Sequence, residues 1–285
     1  MSAQFKMPLS DSEVKELTAM AAKIRCDIVD TTAWAGGSHI GGALSQTDIL
    51  TLLYFKYLRI DPANPEWDDR DRFILSKGHG GIGLAAVFAN RGFYDHELLK
   101  TFGKTGSSLS MHMDASKVIG LDASTGSLGH GLPMAVGLAL GARITKKSWL
   151  TYCLVGDGEC HEGSIWEAAM AASHFKLNNL IAFVDRNGLC IDGATKDIMC
   201  LEPFAEKWTA FGWEVKVVNG HSFPELATAL DVAIAHEEGP VVIIANTVKG
   251  KGVDFMENNP AWHYGALDSA KTVEAKNSIG GSSRE

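Results

Sequence analysis

The sequence predicts an α/β protein: a doubly wound, mostly parallel sheet with helices on both faces. Short β-rich runs at 150–155, 180–185, 213–218 and 241–248 alternate with helical segments at about 164–175, 203–211 and 223–236. Such alternation implies parallel pairing through right-handed crossovers, which place helices on both faces of one sheet. The 285 residues are 46% hydrophobic and 21% charged, which excludes a disordered chain. No internal repeat and no hinge-like linker interrupts the pattern. The expectation is one domain over residues 1–285, with 1–10 and 280–285 as tails.

From the N-terminus, Ser10-Asp11-Ser12-Glu13 reads as a capping box. Val14, Leu17, Met20, Ile24 and Ile28 then recur near helical spacing, giving a helix to about Trp34. A second helix is expected over 45–57, and 61–72, with two prolines and five acidic residues, is a loop. The apolar run 72–75 leads into Ser76-Lys77-Gly78-His79-Gly80 and a helix to about Asn90. Residues 102–125 show no period and form a long loop, which in a compact domain is usually functional.

Charge and cysteine usage narrow the class. With 26 basic and 34 acidic residues the chain carries −8, the wrong sign for a sequence-independent nucleic-acid binder. The longest charge-free apolar stretch, 131–142, is well short of the ~20 residues a membrane span needs. Five cysteines form no C-x-x-C pair and no signal peptide is evident, so reduced thiols and a cytoplasmic location are expected, with neither nucleic acid nor membrane as partner.

Thirty glycines are well above the usual share, and their clusters mark the chemistry. In an open parallel sheet, ligands bind beyond the carboxyl ends of the strands. One predicted strand ends in Val155-Gly156-Asp157-Gly158-Glu159, and the next in Val184-Asp185-Arg186-Asn187-Gly188. Asp157 and Asn187 lie one βαβ unit apart and should project from neighbouring strand ends. A carboxylate, an amide oxygen and a nearby backbone carbonyl make a hard-oxygen set suited to Mg²⁺ or Ca²⁺. The amides around Gly158 precede a helix, where its dipole favours a phosphate. A lone Gly-Asp-Gly is more often a turn; the asparagine one unit later reverses those odds. Five histidines (His39, His79, His112, His130, His263) sit in Gly- or Ser-rich loops, where imidazole can donate to phosphate oxygens or exchange protons near pH 7. Any one alone is more often structural. Nothing has the close ligand pairing of a zinc site.

Gly-Asp-Gly followed about thirty residues later by Asn resembles the thiamine-diphosphate motif. Its surroundings are Gly37-Ser38-His39-Ile40-Gly41-Gly42, Ser76-Lys77-Gly78-His79, Thr125-Gly126-Ser127-Leu128-Gly129-His130-Gly131, Gly156-Asp157-Gly158-Glu159-Cys160-His161-Glu162-Gly163 and Asn187-Gly188-Leu189-Cys190-Ile191-Asp192-Gly193. In order and spacing, over about residues 11–268, they resemble the N-terminal, diphosphate-binding domain of transketolase. The resemblance implies that Asp157, Asn187 and the Leu189 carbonyl hold the metal. It implies that His79, Gly158, Asn187 and His263 contact the cofactor's diphosphate, that Glu159 is cofactor-binding, and that the backbone of Gly126, Ser127 and Leu128 meets its aminopyrimidine side. His39, His112 and His263 would face the reacting carbons as catalytic groups, and Glu162 would lie at a subunit contact.

Several positions depart from the family pattern. Ile40 and Ser127 stand where prolines are usual, His130 and His161 where glutamines are, and Met113-Asp114 follows His112 in place of Pro-Glu. Whole transketolases are more than twice as long, so the expectation is the first subunit of a split enzyme. A second subunit would bring the pyrimidine-binding and C-terminal domains, in a heterotetramer. The implied reaction breaks a ketose between its second and third carbons and passes the two-carbon ketol unit to an aldose, either sugar being a phosphate. The alternatives are a subunit of another thiamine-diphosphate enzyme (deoxyxylulose-phosphate-synthase-like or 2-oxoacid-dehydrogenase-α-like), a non-catalytic cofactor-binding subunit, and an unrelated Mg²⁺ phosphohydrolase.

Overall fold

A computed structural model describes residues 8–282. Among these, five strands form one sheet: β1 (Arg72–Leu75), β2 (Thr151–Gly156), β3 (Leu180–Arg186), β4 (Glu214–Asn219) and β5 (Val241–Asn246). Their spatial order is β1-β2-β3-β5-β4, and every pairing is parallel. Strands buried on both faces read as continuous apolar runs. Phe73, Tyr152, Leu154, Phe183 and Ile243 point into one core layer, and Ile74, Cys153, Val155, Val184 and Ile244 into the other. Edge strand β4 keeps polar residues on one face, with Glu214 and Lys216 paired along it, which blunts an open edge.

The first layer is built by α1 (Asp11–Ala35), α2 (Ile40–Ser45), α3 (Thr47–Leu52), α4 (Gly81–Arg91) and, later in the chain, α9 (Phe223–Ala235). Helix α1 starts at the expected capping box, with both the Ser10 and Glu13 side chains engaged, and ends at Gly36 in the left-handed conformation. It buries Leu17, Ala21, Ile24 and Ile28. The second layer holds α5 (Gly131–Ile144), α6 (Gly163–His174) and α8 (Phe204–Ala210), packed through Leu132, Ile165 and Trp208. The remaining helices are the single turn α7 (Thr195–Ile198) and α10 (Ser269–Ser282), which packs on α1.

Two sequence expectations need correction. The second helix begins at Ile40, not Ser45, breaks at Gln46, and closes as a π-helical turn over Leu53–Tyr57. Gly41 and Gly42 look like loop residues but lie in the helix, and close neighbours explain why they are glycines. A Cβ on Gly41 would stand 2.6 Å from the Trp262 carbonyl oxygen, and one on Gly42 3.3 Å from the Lys77 ammonium. The tails are shorter than expected. Leu9 packs on the core, Ser10 caps α1, and residues 280–282 belong to α10. Residues 1–7 and 283–285 lie outside the described residues. No described helix is long and apolar enough to cross a membrane.

Candidate active site

The parallel sheet sends four chain segments out of its carboxyl edge side by side: Ser76–His79 after β1, Asp157 after β2, Asn187–Cys190 after β3 and Thr247–Lys249 after β5. The register puts Gly156 opposite Asp185, so Asp157 and Asn187 emerge together, as their spacing predicts. Between these ends lies a cleft of about 380 Å³. His39, His79, His112, Gly126, Leu128, Asp157, Gly158, Glu159, Asn187, Leu189 and His263 all line it. The sequence-predicted residues that do not are Ser127, which is exposed one residue from the wall, and Glu162, which is exposed at the start of α6. Of the five loop histidines, His130 alone stays out, exposed before α5.

The Asp157 carboxylate accepts the amides of Gly158 at 2.9 Å and Gly188 at 2.7 Å, tying the β2 and β3 turns together. Burial, and then the nearby Asp185, push its carboxyl up to about 6. The nearby Lys77 ammonium offsets this only in part. Asn187 is aimed from behind: its amide nitrogen donates to Asp185 at 3.3 Å, while its oxygen accepts the Leu189 amide at 3.2 Å. Among the described residues no three His, Cys, Asp or Glu side chains cluster to hold a metal. A metal here would have to take the mixed set of one carboxylate, one amide oxygen and the Leu189 carbonyl, and that donor chemistry suits a hard divalent cation.

Two lysines that no sequence motif assigned to the site complete it. Lys77 is buried and paired with Asp185, and also donates to the Gly42 carbonyl at 2.9 Å. Asp185 in turn accepts from Ser45 at 2.6 Å and from Thr247. Lys249 is equally buried. Its ammonium donates to the Leu189 carbonyl at 3.1 Å and contacts Nδ1 of His263 at 2.9 Å. Burial, and then the charge of Lys77, pull the Lys249 ammonium down to about 8. The available signal was position: a lysine within three residues of the carboxyl end of a parallel strand stands at the ligand-binding edge.

The histidines form one cluster. The His39 ring centroid lies 5.4 Å from His79, 5.8 Å from His112 and 5.5 Å from His263, and His79 stacks on His263 at 5.2 Å. Burial, then Lys77, hold His79 down to about 2; burial, then Lys249, hold His263 down to about 3. Burial also lowers His39, whose Nδ1 is buried without a partner. At neutral pH these imidazoles are uncharged, each able to donate from one nitrogen and accept at the other. The cleft thus sets the Lys249 ammonium and neutral donors in front of Asp157, with Glu159 and Asp192 also on its wall and Lys77 paired with Asp185. An ammonium and neutral donors can hold anionic oxygens, and a metal ion beside Lys249 is tolerable only with such oxygens between the two charges.

Glu159, on the cleft wall, also braces the loops around it. Its buried carboxylate is occupied by the Ser76 hydroxyl, the Gly129 amide at 2.9 Å and the Gly156 amide at 3.0 Å. It locks the Gly126–Leu128 loop to the ends of β1 and β2. Gly158 must be glycine because a Cβ would lie 2.6 Å from the Cys190 sulfur.

Residues 17–285 match the family described as "Transketolase, thiamine diphosphate binding domain". The chain is 43% identical over 255 residues to the 6-deoxy-6-sulfo-D-fructose transketolase subunit SqwG of a Clostridium species, covering 90% of this chain and 92% of that one. It is 41% identical over 263 residues to an apulose-4-phosphate transketolase subunit of Phocaeicola vulgatus, covering 92% and 93%. Among solved structures, transketolase from Campylobacter jejuni superposes with a TM-score of 0.86 at 31% identity, covering 95% of this chain and 43% of that one. This chain therefore spans less than half of that solved transketolase but nearly all of the two subunits.

Proposed function

This chain belongs to the transketolase family, and from that premise we propose that it is the cofactor-binding subunit of a two-chain transketolase. With thiamine diphosphate and Mg²⁺ (or Ca²⁺) it moves a two-carbon ketol unit from a ketose or ketose phosphate to an aldose or aldose phosphate. The observation that carries this reading is the convergence of Asp157, Asn187, Lys249, His79 and His263 on one cleft from separate strand ends and loops. Two relatives of matching length bear subunit names, which supports a second chain as partner. Glu162 is exposed and free to meet it, and a heterotetramer and a cytoplasmic location are part of the proposal.

When bound, thiamine diphosphate would supply the nucleophilic carbon for the transfer. The chain's own residues do the rest. Asp157, Asn187 and the Leu189 carbonyl take the metal. Lys249 and His79 would donate to phosphate oxygens beside Gly158, and this anion would let the Lys249 ammonium keep its proton above pH 8 as well. His39, His112 and His263 would face the reacting carbons, His263 reaching the phosphate oxygens too. Imidazoles there would donate to an oxygen as it gains charge and hold the proton it releases.

The test is reconstitution with the partner chain, thiamine diphosphate and Mg²⁺, followed by a ketol-transfer assay over a panel of ketose donors. Two relatives carry 6-deoxy-6-sulfo-D-fructose and apulose-4-phosphate in their names, so both belong in that panel. The expected result is turnover only when both chains are present. Full turnover by this chain alone, or none with any donor despite cofactor binding, overturns the proposal.

A further inference from the structure

Beside the Lys249 turn, a buried polar chain links α1, α3 and the segment after β4. Arg25 of α1 grips Asp48 of α3 with two bonds, at 3.0 and 2.6 Å. Asp48 meets Nδ1 of His221, just after β4, at 2.6 Å. Nε2 of His221 accepts the backbone amide of Val248 at 2.8 Å. A backbone amide can only donate, so Nε2 carries no proton and Nδ1 does; the ring is a neutral imidazole locked in one tautomer. Asp48 is nearly inaccessible, and an unpaired carboxylate there would be costly. The Arg25 guanidinium balances its charge.

Val248 is the residue before Lys249. The turn that carries this lysine leaves the end of β5 and is not followed by a regular element until the short helical turn at Pro260, so its placement depends on a few bonds. Thr247 is tied to Asp185, the Gly250 amide donates to Gly41 at 3.0 Å, and the Asn258 amide donates to the Lys249 carbonyl at 2.9 Å. The His221 ring is the side-chain acceptor for the amide directly preceding Lys249. The Lys249 side chain then runs past Gly41, where a Cβ would stand 3.2 Å from its Cγ. A small shift of the turn would therefore move the ammonium off the Leu189 carbonyl.

We infer that His221, oriented by Asp48 and Arg25, is a positioning residue that sets the Lys249 turn so that its ammonium reaches the diphosphate end of the cleft. It touches neither cofactor nor substrate and acts through Val248. The inference rests on the cofactor-binding reading above.

Two substitutions separate positioning from simple packing. In His221→Gln the amide oxygen reaches about as far as Nε2 and keeps an acceptor for Val248. In His221→Asn the shorter amide reaches only the Nδ1 position, keeping a donor for Asp48 and leaving the Val248 amide unpaired. Thiamine diphosphate affinity, measured with Mg²⁺ on the chain reconstituted with its partner, should fall about tenfold in His221→Asn and less than about threefold in His221→Gln. In a Lys249→Met background, His221→Asn should change affinity less than about twofold, because the group it positions is gone. An equal loss in both backgrounds, or a Gln variant no better than Asn, overturns the positioning role. So does failure of both variants to fold, judged by thermal unfolding against wild type, since His221 would then be needed for the fold itself. Wild-type chain that binds no thiamine diphosphate refutes the cofactor reading instead, a separate result.

Discussion

Lys249→Met removes the buried ammonium while keeping the length of its stem, and two opposite effects follow. The first is on the empty protein. Moving the ammonium from its ordinary value of 10.5 to about 8 corresponds to roughly 3 kcal/mol at about 1.4 kcal/mol per unit. Between these two values the unfolded chain holds more protons than the folded one, so stability rises with pH there. The penalty of the charged lysine is thus complete below pH 8 and gone above 10.5. Against it stand the ammonium's bonds to Leu189, Cys190 and His263, worth about 1 kcal/mol each. Losing a lysine that is 2% exposed should therefore leave the cofactor-free chain about as stable as wild type at pH 7. The wild-type chain should then gain on the variant as pH rises past 8. The second effect is on binding. A hydrogen bond from an ammonium to a phosphate oxygen is worth about 1.5–3 kcal/mol, so thiamine diphosphate affinity should fall roughly 10- to 150-fold. Wild-type affinity should decline above pH 8, where the empty site no longer holds the proton, and the variant's should be flat there. Titration calorimetry between pH 7 and 9.5, with thermal unfolding on the same samples, measures both. Unchanged affinity with a large loss of stability would make Lys249 a packing residue and refute the reasoning from its burial.

Three further outcomes are expected. Asp157→Asn, which removes the charge and keeps an acceptor for only one of the Gly158 and Gly188 amides, should abolish the Mg²⁺ dependence of cofactor binding; calorimetry with and without Mg²⁺ would show an unchanged metal effect if the metal lies elsewhere. His79→Ala should mainly weaken cofactor binding, whereas His39→Ala should mainly lower turnover at saturating cofactor, and steady-state kinetics giving the reverse would show that their roles are exchanged. Glu159→Ala strands the Gly129 and Gly156 amides in a buried setting. It should cost about 2–4 kcal/mol of stability in a denaturant titration, and a fully stable variant that has lost only cofactor affinity would assign Glu159 to the cofactor alone.

Much of this site was legible because its signals are local. A carboxylate between two glycines ends one apolar run, and an asparagine ends the next one βαβ unit later. Since consecutive parallel strands joined by one crossover helix tend to be neighbours, spacing alone sets Asp157 beside Asn187. The capping box of α1 and the alternation of strands with helices follow from equally short-range patterns. Helix boundaries near Ile40 were not legible. Gly41 and Gly42 look like loop residues until Trp262 and Lys77, distant in sequence, are seen to leave no room for a Cβ.

Lateral strand order was decided only by the tertiary structure. Strand β5 inserts between β3 and β4, and that placement alone brings Lys249 against the Leu189 carbonyl and puts the Asp48–His221 chain beside it. In the sequence, Lys77, Lys249 and Asp185 are ordinary charged residues of the kind that usually stay in water. What buries them is the closing of four strand ends over one cleft, and what makes that burial tolerable is that Lys77 meets Asp185 there. The energy of a buried charge depends on its partners and the water it loses, and neither is set until the chain has folded.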